Sequence, residues 1–209
     1  MLSFIEIHTV THPHFIAALD IYRDAFPDNE KHPIDSIRER VADDRERLHV
    51  GLKEGQVVFM ALLWPLRDTG FTLLDYMATR ADQRHQGIGS AFLRQLSGPL
   101  RDSNRHLIME VENSEQGNNI AQRQARIAFY QRNGARLLQG LRYVLPPLHG
   151  KQTTEMKLMI YPAPVDSVLA GATITQLIIK IYGELYGRAP DDPLLNTFIN
   201  EIPPIITLT

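Results

Sequence analysis

The chain has 209 residues, no Cys, 44% hydrophobic residues and a formal net charge of −2. This length suits one domain of ordinary size with an appendage, and it can bury a core without disulfides. The lack of Cys excludes a disulfide scaffold, thiolate metal sites and thiol catalysis within this chain. The small net charge argues against a nucleic-acid binder and against a protein that binds anionic membranes.

Neither a targeting segment nor a membrane span is predicted. The first residues lack a basic region followed by a long apolar run. The most apolar stretch, residues 165–182, contains Asp166, Gln176 and Lys180, which count against a bilayer span. We therefore expect a cytoplasmic protein that makes no contact with a membrane.

Hydrophobic periodicity predicts strands and helices in the first half of the chain. Apolar and polar residues alternate over residues 4–9, and apolar residues recur at helical spacing over residues 12–25. A charged helix is predicted at residues 35–42, followed by strands at 47–52, 57–64 and 71–79. The last strand is nearly continuously apolar, so we expect it at the centre of a sheet.

The second half continues with shorter elements. The pattern predicts a helix at residues 91–100, a strand at 106–112 and a helix at 121–132. Asn133 and Gly134 are a common helix ending. A polar loop is expected at residues 113–119. A closing hairpin of residues 136–145 and 155–161 is expected around Pro146, Pro147 and Gly150.

Pro162 and Pro164 interrupt this pattern, so we predict a domain of residues 1–162 and a C-terminal helical extension of residues 163–209. Apolar residues of the extension form one helical stripe, namely Ile174, Leu177, Ile178, Ile181, Tyr182 and Leu185. The helix is expected to end near Gly187, and Pro193 predicts a short last helix. The stripe either packs on the chain's own core or forms a self-association surface, which would make the protein a homodimer.

The segment Arg84-x-x-Gly87-x-Gly89 carries the strongest chemical signal. It lies between a predicted central strand and a helix start, where free amides and the helix dipole favour an anion such as phosphate. A Walker loop would need a Lys after its second Gly, and none is present. A dinucleotide fingerprint would need a third Gly where Phe92 stands. Both alternatives therefore fail on their residues.

This segment resembles the coenzyme A-binding motif of the GNAT superfamily of N-acetyltransferases. That resemblance is strengthened downstream, where Tyr130 stands four residues before Gly134 at the end of a predicted helix. The resemblance covers about residues 3–161. It implies an α/β (α+β) fold of three layers, with a mixed, mostly antiparallel sheet of about seven strands flanked by helices.

Three positions depart from the family pattern. Arg123 stands where many members have an Asn, seven residues before the Tyr. Residues 114–119 make a longer loop than usual. Leu73 stands where a family Glu base often lies, so that base is not carried over to this chain.

The resemblance implies an N-acetyltransferase in which an amine attacks the thioester of acetyl-CoA directly, in a ternary complex. Arg84 and the following main-chain amides would hold the pyrophosphate: His85, Gln86, Gly87, Ile88, Gly89 and Ser90. Exposed backbone groups of a bulged central strand would contact the donor at Met77, Ala78 and Thr79. Tyr130 would protonate the departing thiolate.

The acceptor side is less defined. An ammonium substrate must lose a proton before it attacks, and Asp75, Glu110 and Glu112 are candidate bases or substrate contacts, with proton loss through water as the alternative. In the resembling family the loop that contains Glu30 often borders the acceptor site. His12-x-His14 is the closest approach to metal-ligand spacing, and we predict no metal.

The acceptor is expected to be an amine on a small molecule or a protein, and the sequence does not distinguish acetyl from longer acyl donors. A second interpretation is a catalytically silent coenzyme A-binding sensor or interaction module. A nucleotide-binding protein of another fold is a third, although the missing Lys and third Gly count against it.

Overall fold

The computed structural model of the chain describes residues 1–114, 119–148 and 153–209. They divide into a first unit of residues 1–65 and 72–103 and a second unit of residues 66–71 and 104–209. The longer loop expected at 114–119 and the turn at Gly150 fall largely or wholly outside the described residues.

The first unit contains four strands in the order in which they occur along the chain. They are β1 (Leu2–Ile7), β2 (Arg47–Lys53), β3 (Gln56–Leu66) and β4 (Phe71–Thr79). β2 pairs antiparallel with both β1 and β3. Its turn to β3 has positive φ at Glu54 and Gly55, at 53° and 77°, which is the conformation that a tight hairpin turn requires. These strands agree with the predicted ones to within two residues.

Helices cover both faces of these strands. They are α1 (Phe15–Ala25), α2 (Ile34–Ala42) and α3 (Ile88–Asp102). Phe15 and Ile37, from α1 and α2, are fully buried in one cluster with Val50 of β2. Phe92 of α3 packs on Phe59 of β3, with ring centroids 4.9 Å apart. Since successive strand residues point to opposite faces, a two-sided core follows.

The second unit is built around a long antiparallel strand. Its strands are β5 (His106–Glu112), β6 (Arg136–Leu137), β7 (Tyr143–Leu145) and β8 (Thr154–Tyr161), and α4 (Ile120–Arg132) follows β5. β8 pairs antiparallel with β5, β6 and β7. The prediction of one strand over residues 136–145 was wrong, because the chain turns at Gly140, whose φ is +69°.

The C-terminal segment forms β9 (Val168–Ala170), α5 (Gly171–Glu184), α6 (Pro193–Asn196) and β10 (Ile205–Thr207). α5 ends three residues before the predicted position. Its apolar stripe is buried within the chain itself, which is the result expected if it packs on the chain's own core. Oligomeric state stays a prediction.

Two strands of the C-terminal segment were not predicted. β10 pairs antiparallel with β9, and main-chain bonds join Leu137 and Thr209 in both directions, at 2.7 and 3.0 Å. The predicted domain boundary between residues 162 and 163 falls inside the second unit, and as a domain boundary it stays a prediction.

The predicted fold class is confirmed. Helices flank the mostly antiparallel strands β1–β8, one more than the expected seven, and β9 and β10 form a separate pair. Among the described residues, no helix combines the length and the apolar character that a bilayer span needs.

Candidate active site

The loop after β4 leads into an open helix N-terminus. Gly87, with φ +73°, precedes α3, and no side chain of the described residues caps that helix. The first helical bond runs from the Ala91 amide to the Gly87 carbonyl at 2.9 Å, so the amides of Ile88, Gly89 and Ser90 have no acceptor within the helix. A Cβ added at Gly87 would meet no atom within 4 Å. Such an open, positive helix end suits a phosphate ligand.

Two residues shape this loop further, Arg84 through its charge and His85 through its main-chain conformation. Arg84 is exposed, and its Nε donates to the Thr79 carbonyl at 3.3 Å, which ties the guanidinium to the end of β4. His85 has a φ of 64°, a left-handed conformation that few residues other than Gly adopt. The main chain therefore curls around the point where the helix begins, as the predicted pyrophosphate cradle requires.

A lysine that the sequence did not single out braces the same loop. Lys53 Nζ donates to Gln83 Oε1 at 3.2 Å and to Gln86 Oε1 at 2.8 Å. Arg80 pairs with Asp82 at 2.7 Å, and this bond lowers the pKa of Asp82 to about 2. The cradle loop is thus tied to the β2–β3 hairpin as well as to its own residues.

The end of β4 was predicted to expose backbone groups at Met77, Ala78 and Thr79. Ala78 is buried and the other two are half-buried. In the pairing of β2 with β3, the register is irregular at Gly51 and Leu52. The contact of residues 77–79 with an acyl donor stays a prediction.

Asp75, the predicted base, lies in a buried cluster of two acids and one cation. The side chains of Asp75 and Glu46 are 6% and 0% exposed, and Arg40 Nη1 lies 4.0 Å from an oxygen of each. The guanidinium carbon of Arg40 lies 5.3 Å from the centre of the Trp64 ring. The cluster joins β4 to α2 and to the residue that precedes β2.

Burial raises the pKa of both carboxyls, and the nearby charge of Glu46 raises the pKa of Asp75 further. The protonated form of Asp75 is therefore favoured, since two adjacent buried carboxylates cannot both ionise easily. A carboxyl that already holds a proton is poorly suited to accept another. This burial counts against Asp75 as the base, and that role stays a prediction.

The loop that contains Glu30 is fixed to β4 through its main chain. The Tyr76 hydroxyl donates to the Glu30 carbonyl at 2.8 Å and accepts from the His32 amide at 3.3 Å. The Tyr22 hydroxyl donates to the His32 carbonyl at 3.1 Å. Glu30 itself is exposed, so its predicted contact with substrate remains sterically open.

Tyr130, the predicted acid, lies near the end of α4 and is 8% exposed. Burial raises the pKa of Tyr130 to about 12, although the positive charge of Arg126 lowers it in part. Among the described residues its hydroxyl has no hydrogen-bond partner. Tyr130 therefore keeps its proton at neutral pH and is available as a donor.

Glu112, the predicted substrate contact, is held by two cations. Arg123 Nη2 and Arg126 Nη1 lie 2.9 and 2.8 Å from its two oxygens. Arg123 also donates to the Asn113 carbonyl at 3.1 Å. The residue that departs from the family pattern thus joins α4 to the end of β5, and the charge of Glu112 is already balanced within the chain.

Glu110, the remaining candidate on β5, is held by two phenols. The Tyr143 hydroxyl donates to its Oε1 and the Tyr186 hydroxyl to its Oε2, the latter at 2.6 Å. Sequence reasoning missed both tyrosines, because they lie 33 and 76 residues from Glu110 along the chain.

The histidines do not converge on a metal. The His12 ring accepts a bond from the His14 amide at 3.2 Å. In the part of the chain that the structure describes, no three His, Cys, Asp or Glu side chains are placed to hold an ion.

Comparison with known proteins gives one family and one fold. Residues 44–134 match the model of the "Acetyltransferase (GNAT) domain" family. No curated protein gives a significant match to the chain. The matched segment includes both sequence motifs but not the C-terminal segment.

Solved structures share the fold at low identity. A Bacteroides thetaiotaomicron protein described as a GNAT-family acetyltransferase is 23% identical, with TM-score 0.75, covering 89% of this chain and 99% of its own. A ribosomal-protein-alanine N-acetyltransferase from Brucella melitensis is 23% identical, with TM-score 0.55 and coverages of 75% and 98%. A GNAT acetyltransferase from Elizabethkingia anophelis, solved with acetyl-CoA bound, is 16% identical, with TM-score 0.52 and coverages of 76% and 96%.

The resemblance noted from Arg84, Gly87, Gly89, Tyr130 and Gly134 is confirmed, because all five lie within the matched segment. The fold agrees with that of solved family members. Residues 44–134 of this chain match the GNAT acetyltransferase domain model, and the fold of the chain is similar to that of solved GNAT acetyltransferases.

Proposed function

We propose that the protein transfers an acyl group, acetyl in the simplest case, from acyl-CoA to a primary amine of a small molecule or a protein. The observation that carries this proposal is the uncapped N-terminus of α3, with Gly87 in the left-handed conformation and Arg84 beside it. It lies within the segment that matches the acetyltransferase domain.

Arg84 and the amides that open α3 fit the pyrophosphate of coenzyme A. The amides offer donors without helical acceptors, and the space over Gly87 is open. Acetyl-CoA supplies the acyl group as a reactive thioester. The neighbour that was solved with acetyl-CoA supports this choice of donor by its fold.

The transfer forms a C–N bond and breaks a C–S bond in one ternary complex. The ammonium acceptor loses one proton before attack and a second as the amide forms. Tyr130 gives its proton to the departing thiolate, and its raised pKa of about 12 ensures that it is protonated when that step begins. The second proton can then restore the Tyr130 hydroxyl.

The first proton needs an acceptor, and the three carboxyls differ in their suitability. Burial and the charge of Glu46 favour the protonated form of Asp75, and Glu112 is paired with two arginines. Glu110 accepts hydrogen bonds from two neutral phenols. We assign Glu110 as the base, in place of Asp75.

The test begins with donor binding. Calorimetry should show acetyl-CoA binding to the wild type and none to Gly87→Asp, since the new carboxylate would enter the cradle. Gly140→Asp is the matched control, because Gly140 also has a positive φ, of 69°, and open space around it. Equal affinities in the two folded variants would refute the cradle.

Turnover is then sought with a panel of amines, by following release of free thiol from acetyl-CoA. Release that depends on an amine supports the enzyme. Tight binding with no release across small amines and N-terminal peptides would favour the silent coenzyme A-binding module instead.

A further inference from the structure

The C-terminal segment, which lies outside the matched family segment, reaches a carboxylate of β5. Tyr186 follows α5 directly, and its hydroxyl donates to Glu110 Oε2 at 2.6 Å. We propose that Tyr186 is a positioning residue for Glu110: it orients this carboxylate and keeps it ionised, so that Glu110 can take a proton from the acceptor amine. The proposal rests on the acyltransferase function proposed above.

The position of Tyr186 is fixed by how α5 ends. Gly187 has a φ of 63°, and the Arg188 amide donates to the Tyr182 carbonyl at 2.9 Å, which closes a turn of the kind that commonly ends helices. The Tyr186 ring meets the ring of Tyr182 edge-on, at 6.0 Å between centroids. The hydroxyl is therefore presented by an ordered helix end.

An aromatic cluster anchors that helix end. Tyr182 is fully buried, and its hydroxyl donates to the Val144 carbonyl. The Tyr182 ring packs on Tyr143 and Phe198, with centroids 6.3 and 6.1 Å apart. The second phenol on Glu110, Tyr143, thus belongs to the same cluster, and both donors depend on the C-terminal segment for their packing.

The two phenols stabilise the ionised form of the Glu110 carboxylate. Burial raises the pKa of Tyr143 well above its ordinary value, and the charge of Glu110 raises it further, so Tyr143 stays protonated and remains a donor. A carboxylate that accepts two hydrogen bonds is favoured over its protonated form. Loss of one donor should therefore raise the pKa of Glu110, by about one unit or more.

Other ionisable groups in the second unit also act on this site. Glu112 lies two residues away on the same strand and is paired with Arg123 and Arg126 of α4. Burial raises the pKa of Tyr182 of α5, the charges of Asp192 and Glu110 raise it further, and the charge of Arg188 lowers it. On β8 the residue opposite Glu110 is the apolar Leu158. None of these groups is altered by removing the Tyr186 hydroxyl.

The decisive change is Tyr186→Phe, which keeps the ring and removes the donor. Tyr182→Phe is the matched control, since it removes a hydroxyl from the same cluster that bonds to a main-chain carbonyl and not to Glu110. Melting curves would first show that both full-length variants are folded.

The first measurement needs no turnover. The full chain carrying ¹³C-labelled Glu is titrated by NMR, and the Glu110 resonance is assigned by its absence in Glu110→Gln. The pKa of Glu110 should rise by about one unit in Tyr186→Phe and stay unchanged in Tyr182→Phe. An unchanged pKa in Tyr186→Phe would overturn the proposal, whether or not the protein proves to be an acyltransferase.

The second measurement uses the amine identified in the thiol-release screen. The acidic limb of kcat/KM against pH should move upward in Tyr186→Phe by the same amount as the Glu110 pKa, with the limb of Tyr182→Phe unmoved. A shifted pKa with an unmoved limb would overturn the role of Tyr186 in the reaction, and it would show that Glu110 is not the base. Absence of turnover in the wild type would refute the proposed function alone, because the titration decides the hydrogen bond independently.

Discussion

The side chain of Asp75 is buried and Glu110 is half-buried, and their surroundings favour opposite protonation states. Asp75 faces a second acid, Glu46, and shares with it the cation Arg40. Glu110 faces two phenols. A neighbouring carboxylate makes a carboxyl keep its proton, whereas neutral donors make it release its proton. The comparison teaches that burial and the partners of a carboxyl together decide whether it can act as a base.

The largest expected effect is a difference in kcat between variants of Glu110 and Asp75. Glu110→Gln should lower kcat by about 10²- to 10⁴-fold, the usual range for loss of a general base. Asp75→Asn should keep kcat within a few-fold of wild type, because Asn is neutral and replaces a carboxyl whose protonated form is favoured by burial and by the charge of Glu46. Steady-state kinetics on folded variants checks both. A greater loss in Asp75→Asn than in Glu110→Gln would reverse the assignment of the base.

An intermediate effect concerns the cation of the first cluster. Arg40→Met removes the positive charge that offsets the two buried acids, and it should lower the free energy of unfolding by about 3 kcal/mol or more. Denaturant titration measures this loss. Arg38→Met, on the same helix and outside the acid cluster, should cost much less. Equal losses in the two variants would mean that Arg40 contributes by packing and not by charge.

The smallest expected effect is on how the stability of the protein depends on pH. The pKa of Asp75 is raised in the folded state, so between its unfolded pKa of about 3.9 and that raised value the folded protein binds more protons than the unfolded chain. Wild-type stability therefore falls as pH rises through this interval. Asp75→Asn lacks this loss and should gain stability relative to wild type, by up to about 1.4 kcal/mol per pH unit. Melting temperatures from pH 4.5 to 8 check the sign, and a flat difference would show that Asp75 is ionised when buried.

What the sequence could predict was mostly local. The cradle follows from neighbours along the chain, since Gly87, the helix start and Arg84 lie within a few residues. The strands and helices that carry strong periodicity were likewise predicted close to their bounds. Tyr130 could be singled out only through its resemblance to a family motif, and its burial became visible only in the structure.

What the sequence could not predict depends on distant contacts. Glu46 lies in a charged stretch of sequence, which is typical of a solvated surface. Only folding brings it beside Asp75. Lys53 reaches Gln86 across 33 residues, and Tyr186 reaches Glu110 across 76. β9 and β10 are three residues long, which is too short for alternation to be seen. Long-range pairing leaves no periodic mark on a single sequence.

The chain passes between its two units three times, after residues 65, 71 and 103. Each unit is therefore assembled from two separate stretches of sequence, unlike a domain that is bounded by one linker. Neither unit can be moved to another protein as a single genetic cassette. Only the six residues 66–71 cause this interruption, so the cradle, at residues 84–90, and the tyrosine cluster, beyond residue 104, still lie in separate stretches of the coding sequence.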